Sequence, residues 1–404
     1  MKEFETSRRW KDVGLPREHP SQRTLASARR LVVKIGSALI VDQASGTVRE
    51  PWLETLAEDI GRLRGRGQDV VLVSSGAVAI GRHALDLHQK TLPKKERQAA
   101  AAVGQMHLAR AFRESFARHR LSVAQVLLTL HDTTERQRML NVRATLTNLL
   151  TFQAIPVLNE NDVVARSAAC FGDNDRLAAR VAHLIGCDTL VLLSNVDGLY
   201  SGDPYKSSAV KLIREVQEVT PEIERMAGGA RSGYSSGGMV TKLAAARMAL
   251  ASGVNMAIAD GRDVHPLSAF DKGKPCTWFQ PSIEARIARK TRIAATLKPA
   301  GVLVVNAAAA MNLLSGEDLC ATGVISYCGD FGRGDAVVVR DVHGNEFARG
   351  LSIHSSTELG YITRQPGKEP ESPWAFSASS QIIHRDDLAL AERGSEMDPR
   401  SGTA

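Results

Sequence analysis

Short apolar runs alternate along this chain with stretches whose apolar residues recur every three or four positions. Leu31–Ile35, Val70–Val73, Val123–Leu128, Ala154–Leu158, Thr189–Leu193 and Asn255–Ala259 have strand length and are nearly continuously apolar. Runs of that kind fit strands covered on both faces. Between them, Pro51–Arg64 places Leu53, Leu56, Ile60 and Leu63 at helical spacing, with proline in the first turn and Gly65 and Gly67 at the end. Further helices are predicted over Ala77–His83, Gln98–Arg118, Arg136–Leu150, Asp175–Leu184 and Thr241–Ala251. This alternation predicts an α/β domain over residues 29–290, a mainly parallel sheet sandwiched by helices. The pattern changes near Pro299. Gly301–Val305, Gly323–Tyr327, Asp335–Arg340 and Glu346–Ser352 read as short strands split by turn residues, predicting a small, mostly β domain over 298–388. Within it, Gln365–Ser379 reads as a Pro/Ser-rich loop, while 1–28 reads as a basic flexible tail and 389–404 as a disordered one.

A length of 404 residues allows two domains, each with its own core. The net charge of +7 permits anionic substrates or nucleic acid without demanding either. The five cysteines are odd in number and form no CxxC pair, so neither a disulfide framework nor a zinc site is expected, and a reducing, cytoplasmic location fits. The histidines contain no HExxH, and no metal site built from protein side chains is expected. No apolar run approaches the ~18–20 residues a membrane span needs, and the N-terminus resembles no signal peptide.

The most informative polar cluster is Asn159-Glu160-Asn161-Asp162, followed eleven residues later by Asp173-Asn174-Asp175. The first opens at the end of a strand and the second at the start of a helix, the two places where open α/β sheets bind ligands. So many amides and carboxylates suit a small polar ligand with an ammonium group. Three glycine turns join them. Lys34-Ile35-Gly36-Ser37 offers an ammonium and backbone N–H groups to a phosphate. Ser74-Ser75-Gly76-Ala77 is a strand-to-helix turn suited to an anion. Ser236-Gly237-Gly238-Met239-Val240-Thr241-Lys242 is a glycine-rich loop opening a helix. Its spacing is not that of a P-loop, and no GxGxxG follows a strand. Lysines and glycine turns without an evident nucleophile read as phosphoryl transfer, which works by positioning and charge neutralisation.

The segments VVKIGS, VLVSSGAVAIGR, AAVGQ, QVLLT, PVLNEND, FGDND, LLSNVDGLYSGDP and SSGGMVTK stand in the order found in glutamate 5-kinases of the amino-acid kinase superfamily, which residues 31–261 resemble. The region from Pro299 resembles the PUA domain that many of these enzymes carry. The resemblance implies ATP-dependent phosphorylation of the L-glutamate side-chain carboxylate with Mg²⁺, the first step of proline biosynthesis, with feedback inhibition by proline. It implies catalytic roles for Lys34, Asp175 and Lys242, and glutamate contacts for Ser75, Gly76, Ala77, Asp162 and Asn174. Nucleotide contacts are implied for Lys34, Gly36, Ser194, Asn195, Ser236, Gly237, Gly238, Met239, Val240, Thr241 and Lys242. A homo-oligomer, dimer or tetramer, is implied as well. The product is a labile mixed anhydride, which suggests proximity to the next reductase of the pathway.

Two positions depart from the family pattern. Asn195 stands where an aspartate is usual, and Arg166–Cys170 reads Arg-Ser-Ala-Ala-Cys where many relatives carry a glutamate. Other readings are an RNA-binding regulatory protein on an impaired kinase scaffold, or a kinase with another carboxylate acceptor. The β region lacks the interleaved basic and aromatic residues that single-strand stacking favours, so RNA has no support in the sequence. Lys34, Asp175 and Lys242 favour retained catalysis, and Asp162 favours an acceptor with a free amine.

Overall fold

A computed structural model describes residues 10–11, 25–42, 44–87, 89, 92–164, 174–203, 210–228, 238–282, 299–332, 335–364, 381–383 and 387–391. Contacts divide the chain into two units, one within 20–285 and one formed by 286–404 together with the N-terminal residues up to 19.

The larger unit is built on an eight-stranded sheet. Its strands are β1 (Arg30–Ile35), β2 (Asp69–Val73), β3 (Val123–Leu128), β4 (Ile155–Glu160), β5 (Thr189–Ser194), β6 (Glu215–Val216), β7 (Asn255–Asp260) and β8 (Cys276–Phe279), in the order β3-β4-β2-β1-β5-β7-β8-β6. From β3 to β7 all neighbours are parallel, and β8 is antiparallel to β7. Its longer helices are α1 (Glu50–Gly65), α2 (Ala77–Ala84), α3 (Lys94–Ala117), α4 (Arg136–Thr151), α5 (Asn174–Leu184) and α6 (Met239–Ala251).

Alternation along the strands explains the layers. Leu31, Val33 and Ile35 of β1 face one way, into a core with Leu53, Leu56 and Ile60 of α1 and Phe112 and Phe116 of α3. Val32 faces the other way, toward Leu146 of α4, Leu177 and Val181 of α5, and Leu243 and Ala246 of α6. Covering both faces is why the strands read as unbroken apolar runs. Strand β3 at the sheet edge differs: only Leu128 of its residues is buried.

Helix α3 begins at Lys94, four residues before the predicted start at Gln98. Its first turn, Lys-Lys-Glu-Arg, faces solvent or the site and shows no apolar period. Helices α2 and α3 touch backbone to backbone. A Cβ on Gly104 would lie 1.8 Å from the Ala77 carbonyl oxygen, and one on Gly81 would lie 1.7 Å from that of Ala100. Only glycine fits at this crossing.

The smaller unit is a six-stranded sheet. Four of its strands are β9 (Gly301–Val305), β10 (Val324–Gly329), β11 (Ala336–Arg340) and β12 (Glu346–Leu351), and they follow the predicted segments closely. Two helices unseen in the sequence pattern, Ala307–Leu314 and Ser356–Arg364, contribute Leu313, Leu359 and Ile362 to the core. The tail expectations need correction at three places. Leu388–Ala391 forms strand β13 on β12, because Leu388 and Ala389 have apolar surface to bury there. Trp10–Lys11 pairs with Leu390 and Ala391, completing the sheet order Trp10–Lys11, β13, β12, β11, β9, β10. In the larger unit, Leu25 is fully buried in a short 3-10 turn whose N–H donates to Asp271 Oδ1 at 2.9 Å. The expected loop at Gln365–Ser379 lies outside the described residues.

Candidate active site

The chain leaves β1 on one side for β2 and returns on its other side for β5. At such a reversal the loops beyond the strand ends diverge and leave a crevice. Lys34 sits at the carboxyl end of β1, buried to 5% exposure. Its Nζ lies 2.5 Å from Oδ1 of Asp175 in the first turn of α5. The other carboxylate oxygen, Oδ2, takes Lys242 Nζ at 3.2 Å and the Thr241 hydroxyl at 3.1 Å, both from the first turn of α6. Asp175 has no solvent exposure, and Lys242 has 6%. One carboxylate thus fixes two ammonium groups at the crevice.

Burial alone would push the Asp175 carboxyl up, but the ammoniums of Lys34 and Lys242 outweigh it and hold the value at about 2. Asp175 therefore stays ionised at neutral pH and serves as an anchor for the lysines, not as a base. Its folded-state value lies below the unfolded one of about 3.9, so its contribution to stability is complete above roughly pH 4 and fades as the pH falls toward about 2. The urea midpoint is expected to fall across that window. A Lys242→Met variant, with one cation fewer holding the carboxylate, is expected to lose less across that window and to level off at a higher pH. Superimposable pH profiles for the two proteins would contradict this.

Beside the triad runs a relay of amides. Asn174 Nδ2 donates to the Ser74 carbonyl at 2.7 Å, Ser75 Oγ at 2.9 Å and Asn159 Oδ1 at 2.8 Å. Asn159 Nδ2 in turn donates to Gln105 Oε1 at 2.8 Å, joining β4 to α3. The Asn174 Oδ1 oxygen is buried with no hydrogen-bond partner among the described residues, which leaves an acceptor beside the crevice. Gly76 caps α2 with φ of 106°, and a Cβ there would meet Val41 at 2.7 Å, so both conformation and space call for glycine. Asp162 stands two residues beyond the end of β4, with Arg97 Nη2 at 3.7 Å from its Oδ1. Burial pushes the Asp162 carboxyl upward, and Arg97 partly offsets that.

The sequence pattern of the amino acid kinase family matches residues 29–260, and that of the PUA domain matches 301–373. The chain is 50% identical over 366 residues to a glutamate 5-kinase of Paramagnetospirillum magneticum, covering 91% of this chain and 99% of that protein. It is 48% identical over 370 residues to a glutamate 5-kinase of Agrobacterium fabrum, covering 92% of this chain and 95% of the relative. The chain belongs to the glutamate 5-kinase family. Its larger unit has the amino acid kinase fold and its smaller unit is a PUA domain, as the sequence led one to expect.

Among the residues that the glutamate 5-kinase pattern singled out, the structure joins Lys34, Asp175, Lys242 and Thr241 in one cluster, and Ser75 and Asn174 in the adjacent relay. Gly36 needs correction. Its N–H donates to the Leu193 carbonyl at 3.1 Å and is committed to tying β1 to β5, so it does not present that amide to a phosphate. The Thr241 hydroxyl is shared between Asp175 Oδ2 at 3.1 Å and the Gly238 carbonyl at 2.8 Å. Ser194 and Asn195 lie at the end of β5, with Ser194 Oγ 3.4 Å from Asn195 Oδ1. Gly238 caps α6 in extended backbone, and a Cβ there would meet nothing within 4 Å among the described residues. Met239 packs against the core and Val240 is exposed. Ser236, Gly237, Asp173 and Arg166–Cys170 lie outside the described residues. Arg97, Gln98 and Gln105 were not singled out, and Asn159 was read only as part of the Asn159–Asp162 cluster. The segment AAVGQ pointed at Gln105, but nothing local marked it as reaching the loop at Asn159. The four cysteines among the described residues are free, and burial pushes the Cys187 thiol up to about 12.

Proposed function

We propose that this protein transfers the γ-phosphoryl group of ATP to the side-chain carboxylate of L-glutamate, forming L-glutamyl 5-phosphate and ADP in the first step of proline biosynthesis. The observation that carries the proposal is the buried Lys34–Asp175–Lys242 cluster at the sheet reversal. The acceptor carboxylate, with a reference pKa of about 4.3, is already ionised at neutral pH. It needs no general base, which agrees with an Asp175 held at about 2. What it needs is relief from anion–anion repulsion as it approaches the triphosphate. Lys34 supplies an ammonium on the side of the transferring group, and Lys242 supplies one toward the leaving diphosphate.

The donor set fits a polyphosphate: two ammoniums and the start of α6. Among the described residues no group of three or more His, Cys, Asp or Glu could cage a metal. Mg²⁺ therefore fits as an ion carried on the nucleotide phosphates, where it would neutralise charge, and Asp175 is already occupied by its lysines. Ser194 and Asn195 would face the nucleotide with neutral hydrogen-bonding groups.

Asp162 and the open oxygen of Asn174 suit a free ammonium, which argues for glutamate over its N-acetyl derivative. Proline carries the same ammonium and α-carboxylate but no side-chain carboxylate. It can therefore hold the α-end of the pocket without reacting, which supports feedback inhibition. A homo-oligomer is supported by the outer edge of β3, which pairs with no other strand among the described residues, with Leu127 and Leu140 exposed nearby in sequence. A cytosolic location is supported by the free cysteines.

The test is ATP-dependent hydroxamate formation by purified protein with Mg²⁺ and hydroxylamine. L-Glutamate, N-acetyl-L-glutamate and L-aspartate are compared, with Lys242→Ala as the control. Product from L-glutamate alone, reduced about 10²–10³-fold in the variant, is expected. A folded wild-type protein with no product from any acceptor sinks the proposal.

A further inference from the structure

We propose that Arg97 binds the α-carboxylate of the amino-acid substrate, exchanging Asp162 for that group when substrate enters. The inference rests on the glutamate reading above and extends it to a specificity-determining residue.

Helix α3 grips the substrate-side loop at three places. Arg97 reaches Asp162 at 3.7 Å, Gln98 Nε2 donates to the Val163 carbonyl at 3.0 Å, and Gln105 holds Asn159 at 2.8 Å. The glycine crossing at Gly81 and Gly104 sets the helix at that distance. Arg97 is therefore not a surface charge that meets a carboxylate by accident. Yet its side chain is 52% exposed while that of Asp162 is 18% exposed, so of the two partners Arg97 has room to turn.

The chemistry of an α-amino acid then decides where Arg97 goes. Ammonium and α-carboxylate hang from the same carbon. If the ammonium takes Asp162, the α-carboxylate is delivered beside the guanidinium that has just lost its partner. Each charge remains paired before and after: Arg97 with Asp162 in the empty site, then Asp162 with the ammonium and Arg97 with the α-carboxylate. The guanidinium fork matches a carboxylate with two parallel hydrogen bonds. Holding the α-end on α3 also directs the side-chain carboxylate away from it, toward Ser75 and Lys34.

The experiment compares two acceptors in the full-length protein with MgATP. L-Glutamate is one, and its α-amide, L-isoglutamine, is the other; the amide keeps the ammonium and side-chain carboxylate but removes the α-charge. Arg97→Ala is expected to lower kcat/KM for L-glutamate by about 10–100-fold, mostly through KM, the effect of losing a charge-assisted bond. Its effect on L-isoglutamine is expected to stay within about threefold, with the KM for ATP unchanged. Arg97→Lys should recover part of the loss, and Arg97→Gln, which keeps the bulk, should not. Equal losses on both acceptors would mean that Arg97 only shapes the loop, and would overturn the inference. So would no change, or tighter glutamate binding in Arg97→Ala, which would make Arg97 merely a competitor for Asp162. A wild-type protein inactive on both acceptors would remove the glutamate reading itself, whereas wild-type activity with an indifferent Arg97 would remove only this extension.

Discussion

Alanine at position 175 is expected to give a protein that is inactive and also markedly less stable. Asp175 is fully buried and holds Lys34 and Lys242, which are 5% and 6% exposed. Removing the carboxylate leaves two ammoniums facing each other in a crevice with little water. Breaking a buried ion pair from one side costs about 3–5 kcal/mol, because the surviving charge is left uncompensated. Catalysis suffers separately, since neither lysine is then held where charge develops, and kcat is expected to fall by at least about 10³-fold. Lys242→Met separates the two effects. It leaves Asp175 with Lys34 and Thr241, so folding should stay near wild type while kcat drops about 10²–10³-fold. Urea unfolding beside hydroxamate kinetics measures both. An Asp175→Ala protein of wild-type stability would show that the lysines find other partners, and the anchoring argument would fall.

Valine at position 104 is expected to damage the molecule through packing and to show itself at one end of the site. The first added carbon would already lie 1.8 Å from the Ala77 carbonyl oxygen and 2.6 Å from the Gly81 nitrogen, both backbone atoms that cannot swing aside. Helices α2 and α3 must separate. Overpacking of this kind costs about 1–3 kcal/mol, and the backbone nature of the clash favours the upper end. Separation carries Gln105 away from Asn159 and Arg97 away from Asp162. The KM for glutamate is expected to rise at least about tenfold, as for a lost buried hydrogen bond with its partner unsatisfied. The KM for ATP should change little, because Lys34, Asp175 and Lys242 are carried by β1, α5 and α6. Equal shifts in both constants would show that the two ends of the site are not independent.

How much of this could be read beforehand differs from element to element. Strands β1, β2, β5 and β7 were legible because both faces are covered, so every residue reports the same apolar demand. Helix α1 was legible because its buried stripe repeats at helical spacing. The first turn of α3 was not, since Lys94 to Arg97 carry no apolar period and its role is to reach a loop 65 residues away. The helix Ala307–Leu314 was missed because it follows β9 directly, and a run of alanines and leucines lacks a polar face to mark its period. Strand β13 was missed because four residues near a chain end carry too little pattern to distinguish a strand from a tail.

By itself, then, the sequence determined the class of each domain, the family, and the lysines and carboxylates from which the site is made. Periodicity and motif order are local properties, and those features are local. Tertiary structure decided which of them meet. Asp175 anchors Lys242 across 67 residues of sequence, Gly36 spends its amide on Leu193, and Arg97 and Gln105 enter from a helix whose position is set by two glycines. A buried charge or amide takes the partner that the packed sheet and helices bring within hydrogen-bond distance, and that choice exists only once the chain has folded.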